Sequence, residues 1–200
     1  MKWSARSALG PIPSHAVVSQ AAVEAAERSF SDTPGLDERI DQAFARFDEE
    51  QPALAAYLVN EFERQRDETS QALGYFLSVC IHESFRRAFG DRLESADVSA
   101  VELARASLEL DETMRKEDSA EPLESDDVVA MLQPHVMSFV REQLDSVLAP
   151  DDDVMLTDVE QDVDVDCVSA VYRSLLVAVL ALSRVVRSPS GVAASRNMLS

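Results

Sequence analysis

Glycine is scarce in this 200-residue chain, at five residues, and proline is held to eight. A phosphate-cradling loop and a turn-rich β fold both draw on glycine, so the count argues against both. Accordingly, neither a Gly-rich phosphate loop nor a Gly-x-Ser-x-Gly elbow occurs. The two cysteines, Cys80 and Cys167, form no Cys-x-x-Cys pair and no disulfide framework. Each sits in an apolar stretch of helical spacing, where a free thiol behaves as a small hydrophobe. Histidine is limited to His15, His82 and His135, with no Glu-x-x-His or His-x-x-x-His pair, so the ligand spacing of helical metal sites is absent. No metal and no cofactor is expected.

Lysine occurs only at Lys2 and Lys116, and 18 basic residues face 37 acidic ones, a formal net charge of −19. Binding to nucleic acid rests on Lys and Arg neutralising phosphates, and attraction to anionic lipid rests on the same side chains. The balance disfavours both partners. Met1 to Pro13 hold no apolar core of signal-peptide length, which together with the cysteine usage predicts a cytoplasmic protein. The acid-rich, lysine-poor composition suits a high-salt cytoplasm or a GC-rich genome equally.

What the chain has in abundance is Ala, Leu, Val, Glu and Arg, the residues of helices. Its most telling stretch is Val168 to Val186, whose middle, Leu175 to Leu182, is apolar without interruption. A helix hydrophobic on all sides is either a membrane span or the centre of a bundle, and a span needs about 20 apolar residues. Arg173 and Arg184 cut the pure run well below that. The stretch is therefore read as a buried core helix, with no membrane association.

The expected architecture is all-α, a compact bundle of about seven helices in one domain over residues 14–187, between flexible arms at 1–13 and 188–200. Leu36, Ile40, Ala43, Phe44 and Phe47 follow one helix face, and Gln51-Pro52 opens another helix with proline at its first position. A long helix is expected over Ser70 to Phe89, stopped by Gly90. Ser99 with Glu102, and Thr157 with Glu160, have the spacing of capping boxes. Val159, Val163, Cys167 and Val171 carry helical spacing into the core helix.

One internal match stands out. Gln51 to Leu58 lies over Gln133 to Val140, with identical Gln-Pro followed by matching aliphatic, aromatic and aliphatic positions. Each copy precedes a strongly apolar long helix, which suggests repeat units at 51–90 and 133–187 forming two related helical hairpins around the C-terminal helix. Amphipathic patterns recur at helical period in any bundle, so chance similarity is the competing explanation.

Few residues offer chemistry. On the facing of the long helix, His82 falls opposite the buried line through Leu73 and is expected as a partly exposed surface histidine. Cys80 lies on the inner line, where a catalytic thiol is not expected. Asp162, Asp164 and Asp166 resemble the opening of a calcium loop. Cys167 stands where that loop needs Gly, however, and Arg173 where it needs a bidentate Glu, so a solvated acidic segment is expected. The leading expectation is a non-enzymatic acidic helical protein acting through a protein partner or homo-oligomer. The alternative is a small-ligand-binding or enzymatic bundle with a pocket between the repeat halves, where Tyr57, Tyr75, His82 and His135 would be the polar groups. A third reading has the acidic segment Asp151 to Asp166 mimicking an anion towards a basic protein.

Overall fold

A computed structural model describes residues 12–30, 35–94, 97–117, 125–148 and 164–189. A 3₁₀ turn at Ser14–Ala16 leads into α1 (Gln20–Ser29), α2 (Leu36–Glu50), α3 (Pro52–Phe62), α4 (Glu68–Phe89), α5 (Asp91–Glu94), α6 (Ala100–Glu117), α7 (Ser125–Leu132), α8 (Pro134–Leu148) and α9 (Val165–Val185). The fold is an all-α bundle, with no strand among the described residues. They hold nine helices where about seven were expected, in part because the chain turns at Gly90, with φ 49°, and restarts as the short α5.

Capping side chains set the starts of four helices, α1, α4, α6 and α9. Asp67 accepts hydrogen bonds from the backbone N–H groups of Thr69 and Ser70 and opens α4 two residues before the expected Ser70. Asp164 accepts from Asp166 N–H at 2.9 Å and Cys167 N–H at 3.4 Å, so the start of α9 is set there rather than upstream near Val159. The expected Thr157 and Glu160 box, and most of the acidic segment, lie outside the described residues. Ser99 receives the Glu102 N–H at 3.2 Å, one half of the expected capping box, while the Glu102 carboxylate turns to Arg184. The single helix expected over Ser14 to Phe30 is instead broken: Val17 to Ser19 is non-helical and Ser19 caps α1. Ile12, in the stretch expected to be a free arm, is buried.

At the centre, α4 packs against α9. On α4, every residue from Leu77 to Phe85 is buried, and on α9 every residue from Ser174 to Ser183. The all-round burial expected of the apolar run is met, with Leu175, Val177, Val179, Leu180 and Leu182 each at most 1% exposed. α1, α2 and α3 cover α4, while α3, α6 and α7 cover α9. Buried serines in these two helices return their hydroxyls to the carbonyl one turn back, Ser78 to Gly74, Ser84 to Cys80 and Ser183 to Val179, so no polar group is stranded by them. Gly74 permits a close approach: a Cβ there would stand 3.0 Å from the Phe62 ring of α3 and from Val171 Cγ1 of α9.

Two glutamines at the mouths of α3 and α8 are fully buried. Gln133 accepts the Val18 N–H through Oε1 at 3.0 Å and donates through Nε2 to Ala16 O at 2.6 Å and Ser183 Oγ at 2.8 Å. Gln51 accepts the Val98 N–H at 2.9 Å. Each glutamine thus holds the extended segment that precedes a distant helix, α1 in one case and α6 in the other. The far end of α9 is tied by Arg92, which donates to Arg187 O at 2.7 Å and His15 O at 2.9 Å. Arg184 of α9 pairs with Glu102 and Glu109 of α6, and Arg173 with Asp111.

Candidate functional site

The four polar residues singled out from the sequence are dispersed. Tyr57 on α3 is half-buried against α9, with its phenol pKa raised first by burial and then by Glu61, opposed by Arg173 and a hydrogen bond with Ser174. Tyr75 packs edge-on to Phe44 at 6.4 Å and to Phe62 at 5.2 Å between ring centroids. His135 lines a cleft of about 380 Å³ between α1 and α8 with Glu24, Glu27 and Glu142. His82 is on the wall of neither that cleft nor the two others described below. Among the described residues, no three His, Cys, Asp or Glu side chains are grouped so as to hold a metal ion.

His82 corrects the sequence reading outright, being 1% exposed rather than on the surface. The facing argument assumed one covered side, whereas α2 lies over what was taken for the wet face of α4. There the Phe47 ring sits 4.9 Å from the imidazole, and His82 Nε2 is 3.2 Å from the Glu50 carboxylate. Burial lowers the His82 pKa to about 4, the Glu83 charge working against this and Arg86 and Arg46 with it. Burial thus favours the neutral imidazole at pH 7. Cys80 on the same helix is buried, and desolvation, with Glu27 and Glu83 adding to it, pushes its thiol pKa upward. It is an inert core thiol.

The His82 shift has a measurable consequence. An unfolded histidine takes up its proton near pH 6.5 and the native one only near 4. Between those values the unfolded state binds the extra proton, so stability is full above pH 6.5 and falls as pH drops towards 4, by about 3 kcal/mol in all. Urea unfolding of the parent and His82→Gln at pH 7.5, 5.5 and 4.5 should show the variant losing about one proton's worth of pH slope. An unchanged slope would remove His82 as the source.

Directly beside His82, Glu83 anchors an arginine-lined cleft. The C-terminal end of α1 contributes Ser29 and Phe30, α2 contributes Arg39, Gln42, Ala43 and Arg46, and α4 contributes Glu83, Arg86 and Arg87, around a space of about 250 Å³. The spacing explains the convergence. Arg39 and Arg46 are seven apart on one stripe of α2, while Glu83, Arg86 and Arg87 are three and four apart on α4. Arg86 clasps the Glu83 carboxylate with Nε at 2.8 Å and an Nη at 3.0 Å, Arg87 Nε reaches it at 2.8 Å, and Arg46 only at 3.5 Å. Burial alone would raise the Glu83 pKa, but the Arg86 hydrogen bond and the Arg86, Arg87 and Arg46 charges outweigh it and hold the carboxyl below its usual range.

The formal charge of the lining residues, four arginines and one glutamate, is +3 in a chain whose net charge is −19. Lining of this kind suits an anion, because a guanidinium offers a rigid fork of donors that matches carboxylate and phosphate oxygens. Nothing in the sequence reading singled out these arginines, because the cleft forms only when α2 and α4 lie side by side. A third cleft, of about 270 Å³ between α8 and α9, is lined by Leu144, Leu148, Val168 and Tyr172, with Arg141 and Asp145 at its polar side. Compared with known protein families, with curated proteins and with solved structures, the chain has no match in any of the three.

Proposed function

We propose that this chain is a non-enzymatic binding protein that holds an anionic ligand in the arginine-lined cleft between α1, α2 and α4. The observation that carries the reading is the +3 lining within a −19 chain. Beyond about 8 Å at physiological ionic strength the acidic surface is largely screened, so a ligand at the cleft responds mainly to the arginines. Binding rather than transformation is favoured because the two side chains best suited to chemistry are withdrawn: His82 is neutral and enclosed, and the Cys80 thiol is buried. Free core thiols at Cys80 and Cys167 suit a reducing cytoplasm. α9, at 21 residues, is long and apolar enough to cross a membrane, but 67% of its apolar window is buried inside the bundle, which favours a core role without membrane association.

The test is ligand-induced stabilisation. A ligand at a hundred times its Kd adds about 2.7 kcal/mol to stability. Polyvalent anions such as citrate and phosphate, compared with chloride at equal ionic strength, should raise the parent's Tm, and Arg46→Glu with Arg87→Glu should abolish the rise. Equal shifts in parent and variant would place the effect elsewhere and end the reading.

A second reading, action through a protein partner or self-association, is favoured by α6, where Val101 is 78% and Leu108 62% exposed, seven residues apart on one face with exposed Ala104 between them. Light scattering of the purified chain tests it, with Leu108→Glu dissociating any dimer; a strictly monomeric parent would exclude self-association.

The internal match at Gln51-Pro52 and Gln133-Pro134 is read as a duplication. The reading is supported by the reciprocal bonds of the two glutamines, each to the valine N–H of a Val-Ser pair, Val98-Ser99 and Val18-Ser19, ahead of a helix. It is also supported by parallel packing, α1 on α4 and α8 as α6 on α9 and α3.

A further inference from the structure

We infer that the ligand of the arginine cleft is a small phosphorylated molecule, a phosphate monoester or pyrophosphate, rather than a carboxylic acid; this rests on the anion-binding reading above. Three features of the cleft lead there. The first is what Glu83 already occupies. One carboxylate takes the bidentate clasp of Arg86 and the Nε of Arg87, so the planar acid's place between those two guanidinium groups is filled by the protein's own side chain. What remains is Arg46, whose contact with Glu83 is long at 3.5 Å and whose side chain is 38% exposed, and the outer N–H groups of Arg87, 36% exposed.

The second feature is geometry. Arg46 and Arg87 reach the cleft from different helices, α2 and α4. A tetrahedral phosphoryl group presents three peripheral oxygens in different directions and can accept from donors that do not share a plane. A carboxylate presents two oxygens in one plane and suits a single fork. The doubly negative phosphoryl group also matches the +3 wall more closely than a single carboxylate does.

The third feature is size. At about 250 Å³ the cleft lies below the 300–1,000 Å³ usual for drug-sized ligands, so a phosphorylated molecule of a few carbons or pyrophosphate fits, and a full dinucleotide does not. Ser29 and Gln42 supply neutral polar groups at the rim, and Phe30, edge-on to Phe76 at 6.1 Å between centroids, supplies an apolar wall for the carbon portion.

The experiment is isothermal titration of the full chain with pyrophosphate and, separately, with succinate, at pH 7.5 and physiological ionic strength. Pyrophosphate is expected to bind saturably, one to one, about tenfold or more tighter than succinate. Arg46→Gln and Arg87→Gln are each expected to weaken it about ten- to a hundredfold, the loss of a charge-assisted contact. Arg46→Lys, which keeps the charge and loses the fork, is expected to fall between Arg46→Gln and the parent. Arg28→Gln, removing an exposed arginine paired with Glu24, is expected to leave binding unchanged. Circular dichroism of each variant guards against misfolding. Succinate binding as tightly as pyrophosphate, with both sensitive to Arg46 and Arg87, would overturn the phosphate assignment and leave the anion cleft standing. Binding of neither anion, or binding indifferent to both arginines, would overturn the two together.

Discussion

Replacing Gln133 by leucine is expected to destabilise the fold by roughly 2–6 kcal/mol, measured as a fall in the urea midpoint at unchanged m-value. The side chain is fully buried and serves three groups, two of them backbone groups at the entry to α1. Leucine has similar bulk but no hydrogen-bonding atoms, so the Val18 N–H and the Ala16 carbonyl would be left unpaired in the core at about 1–3 kcal/mol each. The Ser183 hydroxyl suffers less, because it still donates to Val179 O at 2.6 Å. Gln133→Glu should be at least as damaging, since it trades the Nε2 donor for a second acceptor and brings a charge into the core. Gln42→Leu, at an exposed position of α2, should stay within about 0.5 kcal/mol of the parent. A Gln133→Leu protein as stable as Gln42→Leu would mean that the entry to α1 is not held by this residue. Gln51→Leu is expected to act in the same direction by orphaning the Val98 N–H.

That role was out of reach of sequence reasoning. The Gln-Pro pair announced a helix start, and proline does stand first in α3 and α8. The glutamine's own partners, however, lie 115 and 117 residues away, and no local pattern reports them. The helices themselves were legible because their signals are local: an apolar stripe, a capping side chain, a glycine stop. Errors arose where one side chain had two possible local roles. Asp164 looked like part of an acidic run and is a helix cap, while Ser19 looked like a helix interior position and is also a cap.

The candidate site was less legible for a different reason. Reading α4 as a helix with one covered face put His82 in water. A helix covered by α1, α2, α3 and α9 has no such face from Leu77 to Phe85. The arginine cleft needs α2 and α4 side by side before its charge can be added up. In sequence, Arg39 and Arg46 are two cations scattered among Asp37, Glu38, Asp41, Asp48, Glu49 and Glu50. The stripe they share sets them apart from all of those acids but Glu50, which lies on it one turn on and meets His82, and that stripe acquires meaning once it opposes Arg86 and Arg87.

Leu180→Ala is expected to cost about 2–5 kcal/mol, the transfer free energy of the lost methyl groups plus a cavity term. Leu180 is 0% exposed in a run from Ser174 to Ser183 in which every residue is buried, so neighbours on all sides limit how far the site can collapse. Against a typical total of about 5–15 kcal/mol, the alanine variant would be marginal. Leu180→Arg should be worse, because an unpaired guanidinium cannot be accommodated there without opening the core. The native arginines of α9 mark the limit of tolerance: Arg173 meets Asp111, and Arg184 meets Glu102 and Glu109, each at an edge where α6 brings acid to it. No such acid faces position 180, whose surroundings form the apolar core. Urea unfolding read by circular dichroism, with gel filtration of each variant, measures the effect. Both variants unfolding like the parent would contradict the central place of α9, because a helix of this apolarity must bury its surface somewhere. An interface with a second chain or a bilayer would then be its location, and Leu180→Arg would abolish that association while leaving the rest of the bundle folded.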